Sequence, residues 1–172
     1  AAADVFASAN VANMDKAVAA DLVNEPAELT KNTLRLIVPA GNPAGVSGLE
    51  SANAANFVIC APQVPCGAVS AELAESAGIN FTPVSEEQSV TDVRTKVETG
   101  EADAGLVYLT DALLAGNAVE IVEVEGITAV GTVSMIATLA DAPDPELAAA
   151  FMDAVMSDAG RDILATYGFG DD

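Results

Sequence analysis

The sequence predicts an α/β protein, and three observations carry that class. Short apolar runs alternate along the chain with stretches of helical periodicity. Two of those runs, NFVIC (56–60) and AGLVYLT (104–110), are apolar on both faces, as strands inside a covered sheet are. Proline at helix starts and glycine just past helix ends punctuate the pattern. With helices between the strands, the sheet is expected to be largely parallel.

Taken in order, Val5 to Ala9 suits a short strand. Asn10 is placed to cap a helix in which Val11, Met14, Val18 and Leu22 recur at helical spacing. NEPAELTKN (24–32) is expected to be a loop, and TLRLIVP (33–39), alternating Leu34, Leu36 and Val38, a strand. A helical turn at 48–53 precedes the strand at 56–60. Pro65 then sits where a first helical residue belongs, since its missing N–H has no intrahelical duty there. Val69, Leu73 and Ala77 follow, and Gly78 is that helix's C′ residue. SEEQSVTDVRTKVETG (85–100) predicts another helix, with Ser85 and Gln88 as a capping box and Val90, Val93 and Val97 facing inward. After AGLVYLT come a short helix (110–116), a strand in VEIVEV (119–124) and the long alternating strand TVSMIATLA (132–140). DAPDPE ends it, with Asp144 as N-cap and Pro145 as first helical residue. Two helices, 145–156 and 157–169, close the chain.

At 172 residues the chain can hold one domain or two small ones. It is 51% hydrophobic but only 4% aromatic, with no Trp, so its core is aliphatic. Twenty-six acidic residues face six basic ones, a formal net charge of −20, and there is no His. Nucleic acid is close to excluded, because phosphate binding needs clustered Lys and Arg. Only Arg94 and Lys96 lie near one another, and a helix points them in different directions. No apolar run approaches the ~18 residues of a membrane span. The opening AAADVFASA has no basic-then-apolar leader and reads as a strand in progress, which predicts removal of a preceding segment by export processing or truncation.

Enzymatic chemistry finds little here. No His is present to serve as base or metal ligand. Cys60 and Cys66, six apart, do not match the two-residue spacing of redox or zinc motifs, and no Walker-type or GxGxxG loop occurs. Residues 56–77 make a different offer. A helix beginning at Pro65, straight after a buried strand, exposes backbone N–H groups near Cys66 that suit an anion. An ordinary βα junction is the alternative. A second helix start near Ser89 and Val90 offers the same, although Glu86 and Glu87 complement that dipole without a ligand. Tyr108, ending a buried strand, needs a partner for its hydroxyl, from the protein or from a ligand.

Together, GEADAGLVYLTDA, the VPCG helix start, DVFASA with MDKAV after it, and the closing ILATYGF resemble the periplasmic molybdate-binding proteins of ABC importers. The similarity runs over essentially the whole chain. It implies a type II periplasmic-binding-protein fold, two α/β domains joined by two crossovers near Leu36–Val38 and Ala129–Val133. Residues 1–37 with 129–172 would form a partial first domain and 38–128 the second. It also implies a binding protein, not an enzyme, that holds molybdate or tungstate through backbone N–H groups and hydroxyls. The matching positions are Cys66 and Val90 for amides and Tyr108 for the phenol, with no direct protein–metal ligand and no cofactor. The implied partner is the membrane permease of an ABC importer, and the implied location is the outer face of the cytoplasmic membrane, with a lipid anchor as an option.

The family's opening strand, helix and second strand, which carry two further serine donors, have no counterpart here. A chain lacking them is expected to self-associate through uncovered edges. Acidic composition does not oppose the reading: one carboxylate about 15 Å away costs a dianion about 0.1 kcal/mol in screened solvent, so twenty cost about 2 kcal/mol. Each hydrogen bond to a charged ligand contributes roughly 1.5–3 kcal/mol. Within this reading Cys66 contributes its amide, which leaves its sulfur free to pair with Cys60 in an exported protein. Alternatives are another tetrahedral oxyanion such as sulfate, or the effector domain of a regulator, which would normally accompany a basic helix-turn-helix.

Overall fold

The computed structural model describes residues 3–170. The chain divides into two compact units, one formed by the residues up to Asn32 together with those from Thr132 onward, the other by Thr33–Gly131.

In the first unit β1 (Val5–Ser8) lies antiparallel to β7 (Gly131–Thr138), Val5 opposite Thr138 and Ser8 opposite Met135. Three helices accompany them: α1 (Val11–Ala19), α6 (Pro145–Met156) and α7 (Asp158–Thr166). Their N-caps follow local chemistry. Asn10 accepts the Asn13 N–H at 2.9 Å, Asp144 that of Leu147 at 3.0 Å and Ser157 that of Gly160 at 3.2 Å. Met14, Ile136, Ala137 and Ala148 are buried. Of the series Val11, Met14, Val18 and Leu22, Met14 alone is buried: helix α1 stops at Ala19, and Val11, Val18 and Leu22 are exposed along with Leu147, Phe151, Ile163 and Tyr167.

The segment 24–32 is a strand for most of its length rather than a loop, because β2 begins at Ala27 and runs on to Pro39. Its first half is polar and half-buried, so no apolar alternation announces it; its position beside β7 in the sheet holds it extended.

In the second unit the strand order is β6–β2–β5–β3–β4. Strand β2 is antiparallel to both β5 (Ala104–Tyr108) and β6 (Val119–Val122), with Leu34 opposite Tyr108 and Leu36 opposite Val122. Strand β3 (Phe57–Cys60) is parallel to β5 and to β4 (Ser85–Glu87). The sheet is therefore mixed, not largely parallel. Strands β4, β3, β5 and β6 share a direction, and β2, inserted between β5 and β6, runs against them. Phe57, Leu34, Leu36, Ile37, Val38, Leu106 and Val107 form its core with Leu73 of α3 (Pro65–Ala77) and Val93 and Val97 of α4 (Val90–Glu98). Phe57 meets Phe81 edge-on, ring centroids 5.4 Å apart. Short helices α2 (Leu49–Asn53) and α5 (Leu109–Ala115) complete the unit.

Helix α4 begins at Val90, four residues later than the capping box at Ser85 and Gln88 would place it. Ser85–Glu87 pair with β3 instead, and the Ser85 hydroxyl donates to the Glu87 carboxylate at 2.7 Å. The cap is Ser89, which accepts the Asp92 N–H at 3.2 Å and donates to the Asp92 carboxylate at 2.7 Å.

Candidate functional site

The three parallel strands of the second unit send their carboxyl ends to one edge of the sheet, and all three sequence-predicted donors lie there. Cys60 ends β3 opposite Glu87, which ends β4. Continuing the β3–β5 register, Phe57 with Ala104 and Val58 with Gly105, puts Cys60 level with Val107, one residue before Tyr108. From this edge the chain turns into α3 after β3, into α4 after β4 and into α5 after β5.

Each turn has a physical cause. After Cys60, the Ala61 N–H donates to the Glu87 carbonyl at 2.8 Å, which ties the start of one loop to the end of the neighbouring strand. The Val64 N–H then donates to Ala61 at 3.1 Å, and Pro65 opens the helix. The Gly67 and Ala68 N–H groups both donate to the Val64 carbonyl, at 3.0 and 3.1 Å. The Cys66 N–H, between them and the proline, has no acceptor among the described residues. At α4 the Asp92 and Val93 N–H groups turn back to Ser89, leaving the Val90 N–H likewise without an acceptor among those residues. Both are first-turn groups at the positive end of a helix. Tyr108 is buried as the last residue of β5 and the residue before α5.

Gln63, which sequence reasoning passed over, and Gln88, read there only as part of a capping box, join the helix starts. The Gln63 side-chain amide donates to that of Gln88 at 3.3 Å, linking the loop before α3 to the loop before α4. The only signal was positional: each glutamine immediately precedes an N-cap residue.

The nearby cations are committed to carboxylates. Lys96 lies 2.8 Å from Glu87 and 3.6 Å from Glu101; Arg94 lies 3.0 Å from Glu98 and 3.8 Å from Asp111. The hydrogen bond from Lys96, then that from Ser85, holds the Glu87 carboxyl below its ordinary range. Burial pushes the Asp111 carboxyl up, partly offset by Arg94. Among the described residues no group of three or more His, Cys, Asp or Glu is gathered to hold a metal ion, and no helix is long and apolar enough to cross a membrane. The edge thus gathers neutral backbone N–H groups at two helix starts, the kind of group that suits an anion.

Cys60 and Cys66 are joined by a disulfide and both are buried. The first helical turn of α3 is thereby bonded covalently to the end of β3.

Residues 1–170 match the protein family described as bacterial extracellular solute-binding protein. The molybdate-binding protein ModA of Mycobacterium bovis is 42% identical over 172 residues, covering 98% of this chain and 66% of that protein. The chain thus spans just under two thirds of that relative's length. Among solved structures, a substrate-binding domain from Clostridium difficile superposes with a TM-score of 0.79 at 22% identity, covering 100% of this chain and 78% of the other. The periplasmic molybdate-binding protein of Azotobacter vinelandii gives 0.72 at 18% identity, with 98% and 78% covered. At these identities the structures speak to the fold alone.

Proposed function

Since the chain belongs to the bacterial extracellular solute-binding protein family, we propose that it captures molybdate, and with it tungstate, for an ABC importer. Its architecture is the α/β, type II periplasmic-binding-protein fold. The observation that carries the ligand is the 42% identity to a molybdate-binding protein across 98% of this chain. The geometry of the second unit supports it, because the parallel strands bring the starts of α3 and α4 and the end of β5 to one edge.

In this reading the amides of Cys66 and Val90 and the hydroxyl of Tyr108 donate to the oxyanion's oxygens. A donor-only set rejects hydrogen phosphate, whose remaining proton needs an acceptor. Sulfate is fully ionised and must be refused on size. A permease at the outer face of the cytoplasmic membrane receives the cargo. The exposed apolar helices of the first unit support self-association as a second property of this chain.

Calorimetry tests the reading on this chain and on a form of the length of its relatives. Molybdate and tungstate should bind at one ion per chain, with little heat from sulfate or phosphate. Equal affinity for sulfate would remove molybdate from the function, and silence of both forms toward every oxyanion would remove capture itself.

A further inference from the structure

We propose that the Cys60–Cys66 disulfide and Gly67 form a clamp that positions the first turn of α3, so that oxyanion affinity depends on the oxidation state of the cysteine pair. The consequence for affinity rests on the reading of that turn as a donor site; the clamp itself stands on geometry alone.

Three observations converge on residues 60–67. The disulfide joins the last residue of β3 to the second residue of α3, across a loop containing two prolines. Cys60 is also fixed from the other side, opposite Glu87 in the sheet, with the Ala61 N–H on the Glu87 carbonyl. Gly67 is the third. A Cβ built there would run into the Ala61 carbonyl and come within 2.9 Å of the Cys60 carbonyl oxygen. The helix backbone therefore lies directly on the backbone that ends β3, an approach only glycine permits. Beyond that turn α3 is anchored independently, by Val69 and Leu73 in the core, and the Ser70 hydroxyl donates to the Cys66 carbonyl at 2.8 Å.

The pieces divide the labour. Apolar burial keeps α3 as a whole on the sheet, whereas the clamp sets where its first turn stands. That turn carries the Cys66 N–H and the Gly67 and Ala68 N–H groups that close on Val64. A donor displaced by a fraction of an ångström loses much of its bond to an anion, because hydrogen-bond geometry is steep. Reduction by a dithiol would break the S–S bond, deliver two electrons and two protons to form two thiols, and close the dithiol to its own cyclic disulfide. Both sulfurs belong to buried residues, so the exchange is expected to be slow in the folded protein.

The test uses the whole chain with both cysteines replaced (Cys60→Ala with Cys66→Ala) and, separately, Gly67→Ala with the disulfide intact. Amide hydrogen exchange is the readout that needs no ligand. In the double variant the Gly67 and Ala68 amides should exchange about tenfold faster or more, while core amides such as Leu106 keep their protection. Molybdate affinity should fall about tenfold or more alongside, the equivalent of one weakened charged hydrogen bond. Gly67→Ala should reproduce the affinity loss without touching a sulfur. Unchanged exchange at Gly67 and Ala68 would overturn the clamp. So would a uniform rise across the core, which would mark a purely global loss of stability. If the unaltered chain binds no oxyanion, the proposed function fails, and the exchange data alone still decide the clamp.

Discussion

Cys60 and Glu87 stand opposite one another at the ends of two parallel strands, and the Ala61 N–H closes onto the Glu87 carbonyl at 2.8 Å. That pairing brings the starts of α3 and α4 to adjacent strand ends. Each helix alone would be an ordinary βα junction. Side by side, with Tyr108 on the next strand, they lie together at the carboxyl edge, where α/β sheets place ligands and where the proposed function puts its donors. The site reading therefore depends on a strand of three residues, Ser85–Glu87.

Tyr108→Phe keeps the ring in the core and deletes one hydroxyl. Affinity for molybdate should fall by roughly 1.5–3 kcal/mol, about 10–100-fold. The unfolding midpoint should stay near that of the unaltered chain. Calorimetry and thermal melts on the same preparation give both quantities. Unchanged affinity in a folded variant would put the phenol outside the site.

The elements most legible in the sequence were those where local chemistry and burial agree. Pro65 and Gly78 bracket α3, Asp144 and Pro145 start α6, and the all-apolar runs of β3 and β5 lie inside the sheet. What was hidden needed partners. The polar stretch Ala27–Asn32 is extended only because a neighbouring strand holds it, and Ser85–Glu87 became strand because β3 offers it a ladder that outcompetes a capping box. Of the candidate site, the helix starts and the tyrosine could be found by pattern. The bridge between Gln63 and Gln88, and the close fit of Gly67 on Ala61, join residues that no periodicity relates.

Two carboxylates of the second unit should respond to acid with opposite signs. Glu87 has its folded pKa lowered from 4.5 by Lys96 and then Ser85. Its contribution is fully present above the ordinary Glu value and is lost as pH falls through the lower folded value. Asp111 has its folded pKa raised from 3.8, mainly by burial. Its ionised form burdens the fold above that raised value, and acid relieves the burden. Glu87→Gln should therefore lower stability at neutral pH and flatten the loss on acidification. Asp111→Asn should stabilise at neutral pH, with the advantage shrinking as pH drops. Denaturant titrations at about pH 7 and below pH 4 separate the two. The same sign for both variants would mean that burial does not dominate at Asp111.

Among the described residues, seven large apolar side chains of the first unit, Val11, Val18, Leu22, Leu147, Phe151, Ile163 and Tyr167, are exposed, against four in the second. Sedimentation velocity on this chain should therefore show association that rises with concentration. Replacing Phe151 and Ile163 together by Ser should reduce it while leaving the second unit's core untouched. A monomer at every concentration would leave these side chains as scattered surface contacts.

Ionic strength offers the sharpest discrimination among anion sites. The donors proposed here carry no formal charge, while the chain as a whole carries −20. An approaching dianion meets net repulsion at long range and gains its attraction only on contact. Salt screens the first and scarcely alters the second, since the Debye length is about 8–10 Å near physiological strength and the contacts are shorter than that. Association of molybdate should therefore quicken, or hold steady, as salt rises. Stopped-flow tyrosine fluorescence can follow it, because the chain has no Trp and only two Tyr, and Tyr167→Phe would leave Tyr108 as the sole reporter. A site built on Arg or Lys behaves the other way, its rate dropping steeply with salt. Such a drop here would require Arg94 or Lys96 to leave Glu98, Asp111 or Glu87 and turn toward the ligand. The donor-only account of selectivity would then fall with it.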